Sequence, residues 1–198
     1  ATRCAVIAAL LLTGFPDALT GQPRFDAQGI VYSARAGGGP VAVAQSGEVF
    51  VLETAPSPDA PGTPGVFVVK LDHDARTVLY RTFLGHGIGA GIAADFDGGA
   101  YVTGTAFKGD FPETGSFTNE ATSRAAFVVQ LNQYGGRVYS VLVGGTDSAG
   151  RAIAIDHDGN AYVTGTASTA DFPTTADAFD RTFGGGDPSA PTDAFVFK

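Results

Sequence analysis

The chain has 198 residues, 44% of them apolar, and a formal net charge of −8. That is enough for one core-bearing domain, and the sign is wrong for non-specific nucleic-acid binding, which needs a basic footprint. The single cysteine, Cys4, excludes an internal disulfide framework, and 28 glycines, about twice the usual share, favour tight turns over helices.

In chain order, residues 1–21 come first. Arg3, the apolar run Cys4–Leu12 and the small residues that follow resemble a secretory signal peptide, with cleavage expected near Ala18–Gly21. The run is too short to span a bilayer, which takes about 20 residues. A buried strand, "ALLLTG", is the alternative. Residues 22–40 form a lead-in that holds "IVYSARAGG" (Ile30–Gly38), a strand signal.

From Val41 onward the sequence repeats with a period near 60 residues. "DFDGGAYVTGTAFKGDFP" (Asp95–Pro112) and "DHDGNAYVTGTASTADFP" (Asp156–Pro173) share 13 of 18 positions without a gap. "VFVVKL", "AFVVQL" and "AFVFK" (from Val66, Ala126 and Ala194) are a second recurring element. "VLYRTFLG" and "VYSVLVGG" (from Val78 and Val138) are a third, with Ile30–Gly38 as a further copy. The units read 41–85, 91–145 and 152–198, and the last lacks its "VYS" strand. In the middle unit the predicted strands are Gly91–Asp95, Ala100–Thr105, Ala126–Asn132 and Val138–Gly144, with turns at Asp-Gly and "QYGGR".

Four antiparallel strands per long, near-identical repeat predict an all-β fold of β-propeller blades, about three units, over a β-sandwich or a β-helix. The run D-x-DG-x-AYVTGT-x-DFP, followed by the D-AF-V-K and VYS-x-x-GG strands, resembles the SBBP repeat of bacterial secreted and cell-surface proteins. The resemblance covers about Ile30 to Lys198. The first unit departs from it, having lost the YVTGT and DFP wording. It implies a propeller blade and an extracytoplasmic setting, and it implies no reaction. Three units are fewer than the usual 4–8 blades, so the expectation is a partial propeller: a fragment of a larger ring, an open arc, or copies that assemble into one. Further blades, from more sequence or from another chain, are expected partners.

Asp156, Asp158 and Asn160, with Asp95 and Asp97 in the earlier copy, are candidate calcium ligands, because hard cations want clustered oxygens. The loop pattern also needs a distant acid. None follows, and the glycine comes one residue early. The competing reading is a hairpin turn in which Asp accepts backbone hydrogen bonds and Gly159 takes a positive φ. The "DFP" motifs read as packing: Phe as a plug between blades, Pro fixing the backbone, Asp bonding nearby amides. His73 and His157 are expected at solvent-facing turns, and His86 follows an outer strand. No paired-His zinc spacing, serine elbow or phosphate loop is present. Ser148 falls in a loop between units.

The functional expectation is a non-enzymatic, exported propeller scaffold for binding or presentation at the cell surface. Specificity is placed on the variable links Ala55–Gly65, Ala106–Ala125 and Ala167–Asp193. The partner class stays open among glycan, protein and envelope. A channel-end hydrolase or lyase and a calcium-stabilised adhesin-like module are the alternatives.

Overall fold

Strand-forming residues separated by Asp-Gly or Asn-x-x-Gly turns fold here as antiparallel hairpins. A computed structural model describes residues 39–107, 111–112, 114–118, 124–144, 146–186, 189 and 191–198. The expected leader at 1–21 and the strand at Ile30–Gly38 lie outside them. Every regular element among the described residues is a strand. In order they are β1 (Val41–Val43), β2 (Val49–Pro56), β3 (Pro64–Leu71), β4 (Val78–Ala94), β5 (Ala100–Phe107), β6 (Gly115–Thr118), β7 (Arg124–Leu131), β8 (Arg137–Gly144), β9 (Ser148–Ile155), β10 (Ala161–Ala167) and β11 (Asp193–Phe197). No helix among them is long and apolar enough to cross a membrane.

The strands form an eight-stranded sheet, ordered β1-β2-β3-β4-β5-β7-β8-β6, and a three-stranded sheet, β11-β10-β9. The larger sheet is two repeat units joined through one strand. The first half of β4 pairs with β3, from Leu71 opposite Val78 to Gly65 opposite His86. Its second half pairs with β5, from Gly87 opposite Ala106 to Ala94 opposite Ala100. The residues between Gly85 and Gly91, read from sequence as a link, thus continue the strand. Glycines let the strand pass closely here: a Cβ on Gly85 would press on Phe111 and Pro112, one on Gly87 would fall on the Thr105 carbonyl, and one on Gly89 would press on Leu52. The first unit is β1, β2, β3 and the front of β4; the second is the rear of β4, β5, β7 and β8; the third is β9, β10 and β11. As the repeats imply, the third unit has three strands among the described residues.

The units pack face to face. Phe50, Leu52, Val66, Val68 and Leu84 of the first unit share one buried cluster with Ile92, Val102, Phe127 and Val129 of the second. Ala126 and Val128 of the second unit pack with Val163 and Phe195 of the third. Strand alternation explains this. In the middle unit Val102, Phe127 and Val129 point one way, and Tyr101, Thr103, Ala126 and Val128 the other, so both faces of the sheet are buried.

The glycine of "YVTGT" is required by close approach. A Cβ on Gly104 would fall on the Ile88 carbonyl and come 2.8 Å from the Phe127 ring; one on Gly165 would fall on the Ala149 carbonyl and overlap the edge of the Phe195 ring. The register places Glu53 at this position in the first unit, opposite Phe67 as Gly104 is opposite Phe127. There the innermost strand, β1, spans only three residues and pairs below Glu53. The buried Glu53 is bonded instead by Arg81 at 3.2 Å, and Arg81 stacks 3.7 Å over the Phe67 ring. This is the physical content of the first unit's departure from the repeat.

Candidate functional site

Antiparallel alternation sorts the connections onto two ends of the array. One end carries the tight turns, the other the long links and the crossings from unit to unit. The turn end is built from one loop design. Asp95 Oδ1 accepts the backbone N–H groups of Asp97 (3.0 Å) and Gly99 (2.6 Å). Asn132 Oδ1 accepts those of Tyr134 and Gly136, and Asp156 Oδ1 those of Asp158 and Asn160. Gly98 and Gly159 hold φ of 78° and 79°, the left-handed region open to glycine. The hairpin-turn reading of these motifs is therefore what the geometry displays.

For the calcium candidates, Asp156 and Asp95 turn oxygens toward backbone amides of their own loops. Asn160 donates its side-chain amide to Asp156 Oδ2 at 2.8 Å, and Tyr162 donates its hydroxyl to the same oxygen at 3.0 Å. The Asn160 amide, with the turn N–H groups and the Tyr162 hydroxyl, holds the Asp156 carboxyl down at about 2. Asp97 and Asp158 contribute backbone N–H groups to the turns. Among the described residues no group of three or more acidic, His or Cys side chains converges. His73 is exposed at its turn. His157 is also exposed, but its ring meets Phe96 of the neighbouring unit edge-on at 4.8 Å.

At the link end the Phe of each "DFP" motif plugs an interface between units, as the sequence predicts; Asp110 lies outside the described residues. Phe111 is buried between the first two units and stacks on Phe127 at 4.6 Å. Phe172 stacks on Phe195 at 4.4 Å and packs with the face of the second unit. Asp171 accepts the Thr146 backbone N–H (2.9 Å) and hydroxyl (2.7 Å), joining the third unit's link to the exit of the second. The hydroxyls of Thr169 and Thr146 keep its carboxyl below the usual range. Ser148 is buried at the start of β9, donates to the Val143 carbonyl and accepts the Ala126 N–H. It is a joint between units, not a nucleophile in an open loop.

One cluster was not visible in sequence. His86 Nε2 lies 2.9 Å from Ser57 Oγ and 2.9 Å from Asp59 Oδ1, and Ser57 donates its hydroxyl to Asp59. The Ser57 hydroxyl, then His86, lowers the Asp59 carboxyl pKa. A serine-nucleophile relay needs the hydroxyl and the carboxylate on opposite ring nitrogens; here both face Nε2, and Ser57 is buried. The cluster fastens the Ser57–Thr63 link to the crossing after β4's first half. Beside it a shallow cleft of about 240 Å³ is lined by Thr54, Ala55, Pro56, Gly62, Thr63 and Pro64, with no charged wall. Ser57 and Asp59 stand 29 and 27 residues from His86, so no local spacing announces them.

Successive units packed face to face, joined by a link-borne Phe, are arranged as consecutive β-propeller blades are. Residues 138–173 match the family model of the beta-propeller repeat, SBBP, the family that the sequence resembles. The matched span runs from β8 through the Asp156 turn and β10 to Pro173. The chain has no significant match among curated proteins.

Proposed function

We propose that the chain is a non-enzymatic, exported propeller scaffold that binds a cell-surface partner through its link end. The observation that carries this reading is the split between the two ends. Turn residues and strand cores recur from unit to unit, whereas the links differ in length and sequence: Ser57–Thr63 in the first unit, 108–123 in the second, 168–192 in the third. Variable loops held on rigid strands are where binding specificity resides. The polar side chains of the link end described above are engaged in fastening links, which suits a presented surface better than a reaction centre. The apolar, uncharged cleft at the first link suits a glycan or peptide.

The test is an array of bacterial envelope glycans probed with the intact chain. Replacing Ser57–Thr63 or residues 174–186 with Gly-Ser of equal length should abolish capture. The double substitution Asp97→Ala/Asp158→Ala at the turn end should leave it intact. Cleavage of any arrayed glycan above the buffer rate, or capture insensitive to both link replacements, would sink the reading.

A further inference from the structure

The structure assigns a docking face for one more repeat unit to the outer face of the third unit, with Lys198 as its polar anchor. Register makes the three units directly comparable. Phe50, Leu52, Val66, Val68 and Lys70 of the first unit occupy the positions of Tyr101, Thr103, Ala126, Val128 and Gln130 in the second. In the third the same positions hold Tyr162, Thr164, Ala194, Val196 and, one step past Phe197, Lys198. In the first two units the apolar members of this column are buried by the following unit. Val128 is 5% exposed and Tyr101 5%, while their equivalents Val196 and Tyr162 are 76% and 39% exposed. Four residues, Tyr, Thr, Ala and Val, are identical between the buried face and the open one.

The polar contacts repeat as well. Lys70, 3% exposed, lies 5.2 Å over the Phe50 ring. Its ammonium donates across the interface to the carbonyl of Gly98 (3.0 Å) and reaches that of Gln133 (3.5 Å), both in the turns of the second unit. Lys198 lies 5.3 Å over the Tyr162 ring, in the same pose, with its ammonium 4.0 Å from Asp156. Tyr101 donates its hydroxyl to the Gly159 carbonyl of the next unit at 3.0 Å; Tyr162 turns its own to Asp156.

The face also specifies its occupant. Gly89 seats against Leu52, and Gly150 seats against Thr103, each so closely that a Cβ would overlap the side chain opposite. The incoming unit must therefore present a glycine on its innermost strand to Thr164. It must also present apolar residues to Ala194 and Val196, and two tight-turn carbonyls to Lys198. In the first two units the third strand pairs with an outer strand that leads into the next unit. Among the described strands β11 is an edge of its sheet, and an outer strand paired there is the connection by which the occupant would match the first two units. This inference is independent of what the link end binds.

The test extends the full chain by a second copy of residues 131–198, which supplies the outer strand and one more unit in register. In the extended chain Val196→Asp should lower the melting temperature by about 5 °C or more, as for a charge placed in a core, and Lys198→Met should lower it by a few degrees. In the 198-residue chain both should shift it by about 1 °C at most, as exposed substitutions do. Hydrogen exchange should show the β10 and β11 amides better protected in the extended chain. Equal, near-zero effects in both contexts, or unchanged exchange, would overturn the inference. So would a 198-residue chain that forms a dimer broken by Val196→Asp, which would give the face to a second copy instead.

Discussion

Gly104→Ala isolates the role of close approach in the repeat. The added methyl would overlap the Ile88 carbonyl and press on the Phe127 ring from 2.8 Å. Phe127 is fully buried and stacked on Phe111, so it cannot swing away without breaking that stack. Forcing a methyl into a filled core costs about 1–3 kcal/mol, and disturbing the aromatic pair adds about 0.5–1.5 kcal/mol. A total near 2–4 kcal/mol corresponds to a fall of roughly 5–15 °C in melting temperature for a chain of this size. Gly62→Ala is the matched control. Gly62 has φ of 94° with nothing within 4 Å of a Cβ, so only the backbone penalty of about 1–2 kcal/mol applies. The chain contains no Trp, so urea unfolding is best followed by tyrosine fluorescence and far-UV circular dichroism. If Gly104→Ala proves no more damaging than Gly62→Ala, steric exclusion by the neighbouring strand is not what fixes the glycine.

Lys70→Met should destabilise by about 1–3 kcal/mol in urea, because it removes the charged hydrogen bonds from the buried ammonium to two turn carbonyls and the 3.1 Å ion pair to Glu48; the loss should survive added salt better than that of an exposed pair. Asp156 and Asp171 have carboxyls held below their unfolded values. The stability they contribute is therefore complete above pH of about 4 and is lost as pH falls through the folded values, near 2 for Asp156. Melting temperature should drop between pH 4 and 2, and Asp156→Asn should flatten that drop; a parallel curve would contradict the assignment.

The strands, the Asx turns and the Phe plugs were legible because each rests on local periodicity or on a residue type tied to one backbone need. The continuity of β4 was not legible: whether Gly85–Gly91 is a link or a strand depends on edges offered by β3 and β5, which lie elsewhere in sequence. β6 escaped notice for the same reason, since Gly115–Thr118 becomes a strand only by lying parallel to β8. The Ser57–Asp59–His86 fastening and the reach of Lys70 are likewise tertiary. Glu53 looked like simple divergence until the short β1 and the stacked Arg81 showed how a charge fits where other units have glycine.

The shared strand β4 has a mechanical consequence. A repeat array behaves as a chain of units coupled through nearest-neighbour interfaces, and such units can open separately. The first two units cannot, because melting either one withdraws the hydrogen-bonding partner that holds half of β4 in the other. They form a single cooperative block. The third unit, whose β9 begins a new sheet after β8, shares no strand with the second among the described residues; it is joined by packing and by local fastenings, such as Asp171 to Thr146, Ser148 to Val143 and Ala126, and Tyr101 to Gly159. Under force or denaturant the array should therefore yield in two steps, with β9–β11 leaving before the eight-stranded block gives way.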